Sequence, residues 1–210
     1  MTQRNQAPWE ISNAVSRSLK SCQQKVPTVS ARRDVGFGYY QLGNTLMGAG
    51  DYPAALESRR EAFAIRREIA AQDPKNAQAL FDLADAHGDL SEALTATGAS
   101  VEALDQARQA LSILQQLSQA DPTNAVYLRN IGLCYETSAD ALSRLAADET
   151  KSREQRIKDW NEARSWFEKA LDLFSQLRNR GTLMPTDSER AAKFTAKIRE
   201  CDTAIAQPTK

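Results

Sequence analysis

The sequence predicts an all-α protein, a solenoid of antiparallel helix pairs with a capping helix at each end. Three observations carry this reading. Glycine and proline number only 9 and 7 in 210 residues, so few positions can interrupt a helix. Apolar residues recur at intervals of three and four, as in Leu104, Ala107, Leu111, Leu114 and Leu117, which aligns them on one face of a helix. The sequence also repeats itself at a spacing of 48 residues. Gly50 corresponds to Gly98, Ala55-Leu56 to Ala103-Leu104, and Ala62-Phe63 to Ala110-Leu111. Ile65 corresponds to Ile113, Asp73-Pro74 to Asp121-Pro122, and Asn76 to Asn124.

The expected helices run near residues 9–26, 30–48, 52–72, 77–97, 101–120, 125–146, 157–179 and 187–205. Residues 1–29 form a capping helix behind a disordered start, with Ile11, Ala14, Val15, Ser18, Leu19, Cys22 and Val26 as its stripe. It covers the end of the first repeat, which would otherwise expose its stacking face. Repeat 1 spans residues 30–75 and repeat 2 spans 76–123. In the second, Leu83, Ala86, Leu90, Ala93 and Leu94 line the first helix and Leu104 to Leu117 the second. Gly50 and Gly98 stand where the chain reverses, and glycine tolerates the left-handed backbone of a helix C-terminus. Pro74 and Pro122 end the second helices, and Asn76 and Asn124 suit the N-caps that follow.

Repeat 3 spans 124–181 with an insertion near 147–158. Leu90, Leu94 and Gly98 map onto Ser138, Leu142 and Ala146 at the same spacing, but Ala103 and Ala110 map onto Ala163 and Ala170 at 60. The extra segment, AADETKSREQRIK, is polar, as an exposed connection or helix extension should be. Ala55, Ala62, Ala103, Ala110, Ala163 and Ala170 are small so that neighbouring helices approach closely. Residues 182–210 make a C-terminal capping helix and tail, its stripe formed by Ala191, Phe194, Ile198, Cys201 and Ile205.

Composition narrows the function. Lys plus Arg and Asp plus Glu are 27 each, so the basic excess of a nucleic-acid binder is missing and no nucleic-acid partner is expected. Cys22, Cys134 and Cys201 are widely spaced and odd in number, which reads as small apolar residues in a reducing compartment. No apolar run reaches membrane-spanning length and residues 1–10 lack a signal-peptide core, so the expected location is cytoplasmic, without a membrane partner. No metal site, cofactor site or catalytic set is expected. His87 is the single histidine and is assigned to packing; Asp85, His87 and Asp89 alternate along a helix and cannot converge on one ion. Arg59, Arg60, Arg66 and Arg67 are read as a solvated basic face balanced by Glu57, Glu61 and Glu68. Trp160, Trp166 and Phe167 are assigned to the core, with Trp160 a partner anchor if exposed.

Tyr39, Leu42-Gly43, Leu46, the segment GDYPAAL, Ala62-Phe63 and Pro74 together resemble the tetratricopeptide repeat. The 48-residue spacing with DPxN punctuation is similar to long repeats attached to bacterial Ser/Thr kinase-like signalling proteins, and the tail from Leu177 is similar to the closing segment of such arrays. The resemblance covers about residues 30–206. It implies a right-handed superhelix whose first helices line a concave groove, and a non-catalytic scaffold that binds a peptide or protein there. It also implies an alternative, the regulatory or sensor region of a kinase-like protein whose catalytic domain lies outside this chain. Projected onto that groove, the binding residues are Phe37, Tyr40, Asn44 and Met47, then Asp85, Asp89 and Glu92, then Glu136 and Asp140. The groove is thus aromatic at one end and acidic beyond, suited to a basic segment. Tyr40 stands where the family's carboxylate clamp needs lysine, which argues against binding of chaperone C-termini. Solenoid ends also allow self-association.

Overall fold

The computed structural model describes residues 8–23 and 28–207, the side chains of residues 8–13 and of Cys22 and Gln23 excepted. Among these residues the regular structure is entirely helical: α1 (Pro8–Gln23), α2 (Val29–Ala49), α3 (Tyr52–Gln72), α4 (Ala77–Ala96), α5 (Ser100–Ala120), α6 (Ala125–Ala146), α7 (Arg153–Asn179), a short 3-10 turn (Pro185–Asp187) and α8 (Arg190–Ala206). No described helix is long and apolar enough to cross a membrane. The chain divides into two compact units, residues 1–86 and 87–210, with the boundary inside α4.

In the first unit α2 and α3 form a helical hairpin. Thr28 caps α2 by accepting from the Ala31 amide. At its other end Gly50 takes φ 79°, and the Gly50 and Asp51 amides return to the Met47 and Leu46 carbonyls. Asp51 then caps α3 at the Ala54 amide, with Pro53 in the first turn, where a missing amide proton costs nothing. Val35 and Tyr39 of α2 pack on Ala62, Ile65, Ile69 and Ala70 of α3 and on Ala79 of α4. Leu42, Leu46 and Ala55 form a second apolar group.

Leu19 of α1 joins both groups. The broad stripe expected on α1 is otherwise narrower, since Ala14, Val15 and Ser18 are exposed. Leu19 packs closely on α2: a Cβ on Gly38 would stand 2.7 Å from Leu19 Cδ2. Ile11 and Cys22 lie outside the described side chains and Val26 outside the described residues.

The second unit holds the latter half of α4 and α5–α8. Gly98, at φ 87°, repeats the reversal seen at Gly50, with the Ala99 amide reaching the Leu94 carbonyl. Asn124 caps α6 through the Val126 and Tyr127 amides. The second half of the insertion is helix. After a turn at residues 147–152, Ser152 caps α7 through the Gln155 amide, so α7 starts four residues earlier than expected and runs for 27. The C-terminal helix begins at Arg190, after the 3-10 turn, rather than at 187.

All six repeat alanines are buried, as their role as close-approach points requires. The slot one turn along from Ala55 is buried in every copy but filled differently: by Arg59, by Ala107 and by Phe167.

Candidate functional site

The predicted binding residues fall into two sets, one in each unit. In the first, Phe37, Tyr40, Asn44 and Met47 lie three and four apart on α2 and therefore share a face. Phe37 is 53% exposed, and its ring centre lies 5.9 Å from that of the half-buried Tyr40. An exposed phenylalanine beside a fixed aromatic ring is the feature of this face that a solvated helix surface does not require.

Tyr40 is held by a residue outside the predicted set. Arg66 of α3 lays its guanidinium 5.2 Å from the centre of the Tyr40 ring, a cation–π contact. The same guanidinium donates to the Asp82 carbonyl at 3.1 Å and to Asp85 Oδ2 at 2.9 Å. Asp82 in turn meets Arg33 at 3.3 Å and accepts from Gln78 at 2.7 Å. Asp85 is therefore an ion-paired anchor of Arg66, and the charge expected to await a basic ligand is already balanced within the unit.

Asn44 also faces a protein partner. Its Oδ1 accepts from Arg59 Nη2 at 3.2 Å, and Arg59 is only 3% exposed. The solvated basic face expected on α3 is thus divided. Arg59 is buried and Arg66 is ion-paired, while Arg60 and Arg67 are exposed, Arg67 lying over the Phe63 ring. Gly43 makes room for Arg59, since a Cβ there would stand 2.9 Å from Arg59 Cγ. Of the acids named as balancing partners, Glu57 pairs with Lys20 and Glu68 with Arg32. Met47 is half-buried against the Leu42, Leu46 and Ala55 group.

In the second unit Glu92 is exposed and Asp89 half-buried on α4. Glu136 differs from its expected role as an open groove carboxylate. It is buried, and both carboxylate oxygens accept from α8, one from Arg190 and the other from Lys193 at 2.5 Å. Asp140, one turn further along α6, is half-buried; burial pushes its carboxyl up, against the pull of Lys193. Below them Asp187 accepts from Arg129 at 2.5 and 3.1 Å and from Arg190 at 2.7 Å.

Repeat-equivalent positions meet in the same way across helix pairs. His87 Nδ1 lies 2.7 Å from Gln106 Oε1; at the matching place in the next copy Tyr135 and Trp166 stack at 5.2 Å, with Lys169 over the indole. His87 is therefore engaged by a side-chain partner on the adjacent helix. Trp160 is buried and belongs to the core. Burial pushes the Cys201 thiol up to about 11, which keeps it protonated and unreactive at neutral pH. Among the described residues no group of three or more His, Cys, Asp or Glu side chains is placed to hold a metal ion.

Residues 39–73 match the tetratricopeptide repeat family model. That stretch runs from Tyr39 through the whole of α3, and so includes Tyr40, Asn44 and Met47. No curated protein matches the chain. Solved structures similar to it include a structure titled DHF58 filament, 12% identical, covering 94% of this chain and 93% of its own, with TM-score 0.39. The de novo designed helical repeat protein DHR64 is 12% identical over 95% and 97%, also at 0.39. A MamA RS-1 ArsTM double mutant is 15% identical over 94% and 97%, at 0.32.

Proposed function

We propose that the chain is a non-catalytic protein-interaction scaffold that holds a peptide or protein segment against the α2 face of its first unit. The observation that carries this reading is Phe37, an exposed aromatic beside Tyr40, whose ring Arg66 fixes from behind. An aromatic pair with one ring held in place offers a partner a large apolar contact. The tetratricopeptide match on the same helix supports it, because such repeats generally mediate contacts between proteins. With Asp85 paired, the segment is selected in this unit by an apolar side chain more than by positive charge.

The test is affinity capture from the native host's lysate with wild type, Phe37→Ala and a Tyr40→Ala/Asp89→Lys double variant, each checked for helicity by circular dichroism. A partner kept by wild type and lost by both variants supports the α2 face as the site. Equal capture by all three sinks the proposal. The second reading, a regulatory region of a kinase-like protein, rests on the 48-residue spacing and on α3 and α5 each running to 21 residues. The coding sequence around this segment decides it: an adjoining kinase-like domain supports that reading.

A further inference from the structure

A basic segment does lie against Glu136 and Asp140, and it belongs to the chain itself. In α8, Arg190, Lys193 and Lys197 follow one another at three and four residues and form a basic stripe. The first two hold both oxygens of Glu136, and Asp140 sits in the field of Lys193 and Lys197. Beside that stripe Phe194 and Cys201 are the buried side chains of the helix. The Phe194 ring fills a socket formed by Phe174 and Phe167, with ring centres 5.5 and 6.4 Å away. Arg190 also covers the Phe174 ring at 5.6 Å.

We propose that this α6–α7 surface is a docking site for a basic amphipathic helix of a partner protein, with α8 as its exchangeable resident. The chemistry of the occupant follows from what α8 presents: cations at positions n, n+3 and n+7, and an aromatic side chain at n+4. Exchange, rather than simple opening, follows from the aromatic socket: Phe167, Phe174 and Phe194 are at most 2% exposed, and opening them to water is disfavoured, so α8 leaves only as another helix with an aromatic side chain arrives. The hold on α8 is of a kind that competition can overcome. Its first turn has no side-chain cap, and Lys193 is 51% exposed, so water and salt reach the Lys193 end of the stripe. Outside the stripe its polar ties include Arg164 to Asp202, Arg153 to the Gln207 carbonyl, Cys201 to Ser143, and Arg178 to the Ser188 carbonyl in the connection before it. This site lies in the second unit and is independent of the Phe37 face.

The experiment uses the full chain with a protease site inserted after Gly181, which is exposed and turns at φ 69°. The probe is a fluorescent synthetic peptide with the sequence of residues 190–206. The nicked protein should bind it at least about tenfold more tightly than the intact chain, since the resident helix is no longer held at high local concentration. Glu136→Gln in the nicked protein should weaken binding about tenfold, the scale of one charge-assisted hydrogen bond. A second peptide of unrelated sequence that keeps the cation and aromatic positions should compete, and its version with glutamate at the cation positions should not. A nicked protein that stays helical but takes up no probe, or binds it equally with Glu136→Gln, overturns the proposal. Should nicking unfold the second unit, hydrogen exchange on the intact chain decides. Excess peptide should speed exchange in α8 while α6 and α7 stay protected, and unchanged exchange in α8 overturns the idea.

Discussion

Replacing Asp187 with asparagine perturbs the most heavily engaged carboxylate of the second unit. Asp187 is 1% exposed and accepts three hydrogen bonds from two arginines. Asparagine keeps the shape, removes the charge and turns one acceptor into a donor aimed at a guanidinium. Breaking a buried ion pair costs about 3–5 kcal/mol. Arg129 and Arg190 are themselves 23% and 26% exposed, so water recovers part of the loss and about 2–3 kcal/mol is expected. Against a typical total stability of about 5–15 kcal/mol, that is a large fraction. Urea unfolding followed by tryptophan fluorescence reads it, because Trp160 and Trp166 both lie in this unit. At pH 7 the midpoint should fall by about 1 M with the slope unchanged.

Acid supplies an internal control. Burial pushes the Asp187 carboxyl up, but hydrogen bonds from Arg129 and Arg190 and their charges outweigh it and hold it below its ordinary value. Its contribution is therefore complete above the ordinary carboxylate range and is lost as pH falls through the lowered folded value. The gap between wild type and variant should close in acid. A variant within about 0.5 kcal/mol of wild type at pH 7, the range of an ordinary surface substitution, would refute this reasoning. So would a gap that widens as the pH drops.

Gly132→Ala should destabilise by about 1–3 kcal/mol, because the new methyl group would meet the Phe174 ring at 2.6 Å and that ring also supports Phe194; a thermal melt that overlays wild type contradicts it. Asn44→Ala should cost about 1.5–3 kcal/mol by taking an acceptor from the buried Arg59, whereas Phe37→Ala on the same helix should leave the melt unchanged. Asp140→Asn should be more stable than wild type at pH 7. The raised carboxyl means that the ionised form fits the folded state less well than the unfolded one, and the gain should vanish in acid, where the wild-type group is protonated. Chemical denaturation at pH 7 and in acid reads the sign of that difference directly.

The helices were legible because their limits are set locally. Gly50 and Gly98 need only their own backbone angles, Asn124 needs only the two amides after it, and the repeat alanines betray close packing by their size. The start of α7 is legible too: Ser152-x-x-Gln155 is a helix-start pattern in which serine caps the amide three residues on. The charge pairings were not legible. Arg66 finds Asp85 19 residues away and Arg190 finds Glu136 54 away, so these partners depend on how helices cross. The helix period shows that Arg59, Asp85 and Glu136 lie on certain faces, but which face a neighbour covers is decided by tertiary packing. For that reason the aromatic part of the candidate site was readable from spacing, and the acidic part was not readable as paired.

The slot occupied by Arg59, Ala107 and Phe167 bears on how such a chain grows. The three copies fill one buried position with a cation, a methyl group and a benzyl ring, each matched to its own surroundings. Asn44 answers Arg59, and the aromatic ring of Phe194 answers Phe167. A recombination event that deleted or duplicated one copy would join a slot to the wrong lining, leaving a void in one junction and a collision or unpaired charge in the other. One interior position filled in three ways thus makes the copies non-interchangeable, and the core itself opposes a change in their number.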